Sequence, residues 1–298
     1  MTVTTQAPST SAGSRPGPRR RNRRRTTSRC TWYVVVSMIA LLFVSPLVSV
    51  VIGSFKTPQE ASRTPPSYVS GHLSTHNYTQ LRLSDLGVNQ SIVNSAAVAV
   101  ATVVLTVLIA LGAAYGFQQF PFPGSNALFV LMLASIMVPF QVLLTPLYVV
   151  LHDLHLTNSL VGLVVVITTF QLPFATFVIR NSFAAVPREL YEAAAVDGAG
   201  MWKTLWMMLP LLRPGIITAG LFAFFAAWNE FFAALILLSD QSKFTLPVIL
   251  TTLVNGARGS VDWGLLQSGV VVTIVPCLVI FVALQRYYVR GLVAGSGK

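Results

Sequence analysis

Charge is the scarcest thing in this sequence. Charged side chains make up 10% of its 298 residues, where a soluble globular domain carries about 25%. Only nine residues are acidic, while hydrophobic residues account for 54%. So little charge cannot cover a water-facing surface, and the mean hydropathy of +0.68 agrees. This excludes a soluble enzyme and leaves a membrane domain built of apolar segments. Cysteine is nearly absent as well. Cys30 lies in the N-terminal tail and Cys277 inside an apolar run, which excludes a disulfide framework and a cysteine metal site. Histidine is confined to His72, His76, His152 and His155. Both pairs have metal-like spacing, but neither has a further ligand cluster beside it, so they read as loop polarity and no metal is expected. No Ser–His–Asp set can be placed near a common pocket, and no catalytic residue is assigned.

Arginine is abundant in one place. Eight arginines lie before residue 30 and supply most of the net charge of +11. Residues 1–30 are rich in Ser, Thr, Pro, Gly and Arg, lack apolar periodicity and are expected to form a disordered tail. No aromatic residues interleave with the arginines, so nucleic acid is not the expected partner. A topogenic role with weak attraction to anionic membrane lipid is. Residues 31–298 form the expected transmembrane domain. Long apolar runs occupy 32–55, 95–117, 127–151, 159–179, 211–238 and 265–288, which predicts six spans. Open sheet edges cannot cross lipid and the runs lack barrel alternation, so the fold is expected to be all-α. The first run is too long for a signal-peptide core and no small-residue cleavage site follows it. Pro46, Pro139, Pro146, Pro173 and Pro276 fall inside spans and read as kinks. With the N-terminus inside, the inner segments hold 15 of the 20 basic residues, which places both termini in the cytoplasm.

Acid is concentrated where the runs are interrupted. The stretch "ELYEAAAVDGAG" at 189–200 holds Glu189, Glu192 and Asp197, three of the nine acids, within the inner loop 181–210. Pro187 suits a first helical turn, and Glu189 beside it complements the helix dipole. Leu190, Ala193 and Ala194 have the spacing of one helical face, and alanine there admits close approach by a partner. Gly198 stands where a helix C-terminus wants a left-handed residue. Trp202, Leu205, Trp206 and Leu209 then form one face of a second, interfacial helix, which Pro210 separates from the fifth span. A plain connecting loop would not need two helices with distinct faces.

One acid, Glu230, is placed inside a span, where an ionisable side chain points to function. The alternative is a structural ion pair or hydrogen bond. Asn229, Gln141, Thr145 and Gln171 are further polar candidates for a cavity wall, or else helix–helix glue. The C-terminal "GLVAGSGK" does not make a phosphate loop: five residues separate Gly291 from Gly297, and Lys298 is the last residue given.

The segment "EAAAVDGAG" (192–200), with Leu209, Pro210 and Pro214 after it, resembles the EAA loop of ABC-importer permeases. Further motifs select a subfamily: "SFKTPQE" (54–60), "NYTQL" (77–81), "AAYGF" (113–117), "FPFPG" (120–124), "VPFQVLLTPLY" (138–148), "WNEFF" (228–232) and "QRYYVRGLVAGSGK" (285–298). In order and spacing they are similar to the maltose-type, MalG-like permeases of carbohydrate importers over nearly all of 32–298. The resemblance implies the ABC-importer permease fold in a bacterial plasma membrane. It implies that Glu189, Glu192, Ala193, Ala194, Asp197 and Gly198 belong to a coupling helix that docks into a cytoplasmic ATPase. It also implies four kinds of partner: a second homologous permease, two ATPase subunits, an extracytoplasmic sugar-binding protein and membrane lipid. ATP and Mg would be bound by the ATPase subunits, with no cofactor in this chain. Glu230, Asn229, Gln141 and Gln171 become candidates for the translocation path or gate. Two other readings stay open. One is an ABC permease for a non-sugar solute. The other is a stand-alone secondary transporter, which would not explain a helix–Gly–helix loop.

Overall fold

A computed structural model describes residues 23–61, 63, 71–84, 86–120, 122–255 and 261–295, with the side chains of 23–30, 255, 286 and 288–295 left outside that description. All regular elements among the described residues are helical, as the apolar runs require. Two units are distinguished: Met1–Val48, which contains the first part of α1 (Arg23–Ser54), and Ser49–Lys298, which holds the rest of the chain. Residues 1–22 of the predicted tail lie outside the described residues. Residues 23–30 lie in the first turns of α1.

In the second unit, short α2 (Pro58–Ala61) and α3 (His76–Leu83) lead into α4 (Val88–Gln119). Then come α5 (Ser125–Ala134), α6 (Phe140–Asp153), α7 (Leu160–Ala184), α8 (Arg188–Val196) and α9 (Met201–Trp228). The last are α10 (Phe232–Leu237), α11 (Leu246–Asn255) and α12 (Trp263–Gly295). Five helices are individually long and apolar enough to cross a membrane: Thr31–Ser54 of α1, α4, α7, α9 and Trp263–Gln285 of α12.

The expected third span differs. Instead of one helix over 127–151 there is a pair, Ser125–Met137 and Phe140–Asp153, bent by 102°. The cause is Pro139. The residue before a proline is pushed out of the helical region, and Val138 is extended at φ −79°, ψ 119°. Counting that pair as one span gives the expected six.

The centre of the second unit is formed by α4, α7 and α9, each packed on the other two. Sequence dictates this arrangement through residue size. Buried positions of α4 recur every three or four residues as Ser91, Ser95, Ala99, Thr102, Thr106 and Ala110. In lipid, helices gain little by hiding apolar surface and associate through close packing of small residues. On α9 the matching device is Gly215. A Cβ there would collide with Oγ of Ser182 on α7, so only glycine admits this approach.

The fifth span also differs from expectation. Pro210 does not separate two helices, because α9 runs unbroken through both Pro210 and Pro214. A buried stripe of Leu205, Met208, Leu212, Gly215 and Ala219 continues across both prolines at helical spacing and holds the helix together. The same stripe divides the predicted face of Trp202, Leu205, Trp206 and Leu209. Leu205 is buried, whereas Trp202 and Trp206 are exposed. The helix then ends at Trp228, not at 238, and the chain breaks over 229–231 before α10.

Candidate functional site

Helix α8 is held at one end of the bundle. The link from α7 is itself packed: Phe183 and Val186 sit in a core cluster with Tyr115, Ile179, Met208 and Leu212. Pro187 stands just before the first helical residue as the N-cap, one position earlier than predicted, and its carbonyl accepts from the Leu190 N–H at 3.2 Å. At the other end Gly198 has φ +65°, the left-handed conformation expected of it. The Gly198 N–H donates to Ala195 O at 3.1 Å and the Ala199 N–H to Ala194 O at 2.9 Å, which closes the helix.

The predicted single face of Leu190, Ala193 and Ala194 is divided. Ala194 is 1% exposed and turned into its own chain, as is half-buried Tyr191, which packs on the cluster around Tyr115. Leu190 and Ala193 are exposed, and Val196 is 88% exposed. Helical spacing sets Ala193 about 100° from Ala194, and Leu190, 41% exposed, lies at the edge of the buried face. Glu189, Glu192 and Asp197 are all exposed, and among the described residues none of them forms an ion pair. The helix thus has one face fixed to its own protein and an opposite face of exposed apolar and anionic groups.

At the far end of α9, about 42 Å away along its 28 residues, Glu230 lies in the break and not inside a helix. Its Oε1 accepts the Ala233 N–H at 2.8 Å and so caps α10. Asn229 Nδ2 donates to Phe225 O at 2.9 Å, and Trp228 Nε1 to Thr273 O of α12 at 2.9 Å. The remaining predicted polar residues do not join them. Gln141 and Thr145 are exposed on α6, Gln171 is half-buried midway along α7, and among the described residues no hydrogen bond links these side chains to Glu230.

A second polar cluster at this end was missed in the sequence. It grips the backbone of 237–246. Asn158, in the turn between α6 and α7, accepts on Oδ1 from the N–H groups of Ser239 at 3.2 Å and Asp240 at 3.1 Å. Its own N–H donates to Leu237 O at 2.8 Å, and its carbonyl accepts from Lys243 Nζ at 2.9 Å. From α4, Asn94 Nδ2 donates to Ser242 O at 2.8 Å and Phe244 O at 3.0 Å, while Ser95 Oγ accepts the Leu246 N–H at 2.8 Å. Hydrogen bonds from the Ser242 hydroxyl and backbone N–H hold the Asp240 carboxyl below the usual carboxylate range, so it is anionic beside Lys243. The legible signal was the residue type. Asn158 adopts φ +49°, a region that asparagine enters more readily than most residues.

Comparison with known proteins adds the following. Residues 103–293 match the family described as binding-protein-dependent transport system inner membrane component. The chain is 31% identical over 255 residues to the diacetylchitobiose uptake system permease protein NgcG of Streptomyces coelicolor, covering 85% of this chain and 84% of the relative. It is 32% identical over 267 residues to the sulfoquinovosyl glycerol transport system permease protein SmoH of Agrobacterium fabrum, covering 89% and 93%. A chain in the crystal structure of a bacterial ABC transporter that imports the acidic polysaccharide alginate has the same fold, with a TM-score of 0.78 at 19% identity over 90% of this chain and 99% of that one.

Proposed function

Because the chain belongs to the inner-membrane components of binding-protein-dependent transport systems, we propose that it is a permease subunit of an ATP-driven sugar importer. It would form half of the translocation pathway. The observation that carries the reading is the two-faced helix α8, with Ala194 buried in its own chain and the carboxylates of Glu189, Glu192 and Asp197 exposed without ion pairs among the described residues. A helix so placed meets a polar cleft on a cytoplasmic ATPase, whose donors pair with the carboxylates. The buried face carries displacement of that cleft into α4, α7 and α9. The partners are then a second, homologous permease, two ATPase subunits that bind ATP and Mg, and an extracytoplasmic sugar-binding protein. Sugar as the cargo is supported by the glycosidic substrates that the names of NgcG and SmoH carry.

Transport proceeds by alternating access, in which helix bundles move as bodies around a path that opens to one side at a time. Asn229 and Glu230 are the candidate polar groups for such a path, with Gln141 and Gln171 as further wall residues. Glu230 serves that path while capping α10. The test is purification of the tagged chain in mild detergent, identification of the co-purifying subunits, and a sugar screen on the binding protein found. Co-purification of an ATPase and a sugar-responsive binding protein is expected. A chain that purifies alone and transports without ATP would overturn the reading.

A further inference from the structure

We propose that Asn158 is the joint that fixes residues 237–243 to the start of α7, so that displacement of α8 at one end of α7 reaches the segment between α10 and α11 at the other. The proposal rests on the importer reading given above. It starts from the number of bonds one residue makes. The backbone N–H, side-chain Oδ1 and carbonyl of Asn158 engage Leu237, Ser239, Asp240 and Lys243. The N–H groups of Ser239 and Asp240, just past the end of α10, need acceptors outside that helix, and Oδ1 supplies both. The left-handed backbone of Asn158 turns both its side chain and its main chain toward this strip. A β-branched or larger apolar residue would be strained there and would offer no acceptor.

Asn158 is also placed to transmit. Ser159 directly after it caps α7, its Oγ accepting the Val161 N–H at 3.2 Å. Helix α7 then continues to Ala184, from which the packed link through Phe183 and Val186 reaches Pro187 and α8. The segment 237–246 therefore has two anchors. Asn158 ties its first part to α7, and Asn94 and Ser95 tie its last part to α4. Removing the Asn158 side chain should leave the α4 anchor intact. The segment stays folded but follows α7 less closely, because of its bonds to Asn158 only those of the main chain to Leu237 and Lys243 remain. That separates a positioning role from a purely structural one.

The test uses the reconstituted complex of both permeases, ATPase and binding protein. Asn158→Gly keeps the positive φ and deletes only the side-chain acceptor. Asn158→Asp keeps both. For Asn158→Gly, normal assembly and normal basal ATP hydrolysis are expected. Sugar uptake and binding-protein-stimulated hydrolysis should fall about tenfold or more, from two lost hydrogen bonds. Asn158→Asp should restore both. Spin labels at exposed Val161 and Gln241 should report one distance in the unmutated complex, unchanged when ATP is trapped, and a broad nucleotide-dependent distribution in Asn158→Gly. Wild-type uptake in Asn158→Gly overturns the proposal. So does failure of that variant to assemble, which makes Asn158 a structural residue, and so does a label distance that changes with ATP in the unmutated complex. If the unmutated complex shows no stimulated hydrolysis, the importer reading itself falls and the joint falls with it.

Discussion

Gly198 offers the sharpest perturbation of the proposed coupling helix. Its φ of +65° lies where an L side chain is disfavoured. A non-glycine residue held there costs about 1–2 kcal/mol, and a β-branched one stands at the upper end of the roughly 1–3 kcal/mol range for strained backbones. Space is not the reason. A Cβ built at Gly198 meets nothing within 4 Å in its own chain. The strain is therefore a backbone effect, and a substitution series separates it from bulk in a partner's cleft. Asparagine tolerates positive φ, alanine does not, and valine adds a β-branch. Sugar uptake and stimulated ATP hydrolysis of the reconstituted complex should rank Gly, Asn, Ala, Val from best to worst. About 1–2 kcal/mol corresponds to a 5–30-fold loss of the correctly turned form, which sets the scale expected for Gly198→Ala. Sugar capture by the binding protein should be unchanged. If Gly198→Val transports like the wild type, α8 is not the coupling element. If alanine outperforms asparagine, side-chain bulk and not backbone conformation limits the variants.

The two faces of α8 predict opposite phenotypes. Ala194→Leu should overpack a site that is 1% exposed, costing the chain about 1–3 kcal/mol in its own unfolding assay, whereas Ala193→Leu should leave that stability unchanged and weaken ATPase retention on co-purification. Equal effects would mean that the faces are not distinct. Glu230→Gln keeps an acceptor for the Ala233 N–H and removes the charge, so assembly should persist while uptake falls. Full uptake would leave Glu230 as a cap of α10 only, and Glu230→Ala should then be the damaging variant, by about 1 kcal/mol. In a chain with Cys30 and Cys277 replaced by Ser, single cysteines at Gln241 and Lys203 should react with an impermeant reagent from opposite sides of the membrane. Labelling of both from one side would reject the topology derived from the basic residues.

Where a feature depended on composition along a single helix, it could be read from the sequence. Apolar length is enough to place the spanning helices other than the bent third and the shifted fifth, and Gly198 is recognisable because a left-handed turn at a helix end demands glycine. What was misread depended on tertiary packing. Local rules make Pro210 a boundary, but the buried stripe from Leu205 to Ala219 overrides it. Ala194 was grouped with Ala193 by size, and only the arrangement of α8 against its own protein tells them apart. Glu230 was assigned to a span from hydropathy, yet the break at 229–231 and the bond to Ala233 make it a cap as well. The grip of Asn94 and Asn158 on residues 237–246 joins positions some 80 to 150 apart in sequence, a separation no local pattern can report.

The placement of acids follows from the same physics. A carboxylate at membrane depth is costly unless it is bonded, and Glu230, in the break between α9 and α10, accepts the Ala233 N–H at the start of α10. On α8 the cost is avoided differently. Its buried face is Ala194 and Tyr191, and its three acids at 189, 192 and 197 point outward without ion pairs among the described residues. An outward face that served only to contact water would not need the exposed apolar side chains of Leu190 and Val196 between those acids. A surface that alternates apolar contacts with unpaired carboxylates suits a cleft lined by both apolar groups and donors. The opposite face meets the core through Ala194, 1% exposed, and Tyr191, which packs on the cluster around Tyr115. If α8 is the coupling helix proposed for it, α7, which leads directly into it, is the first element of the core to receive its motion.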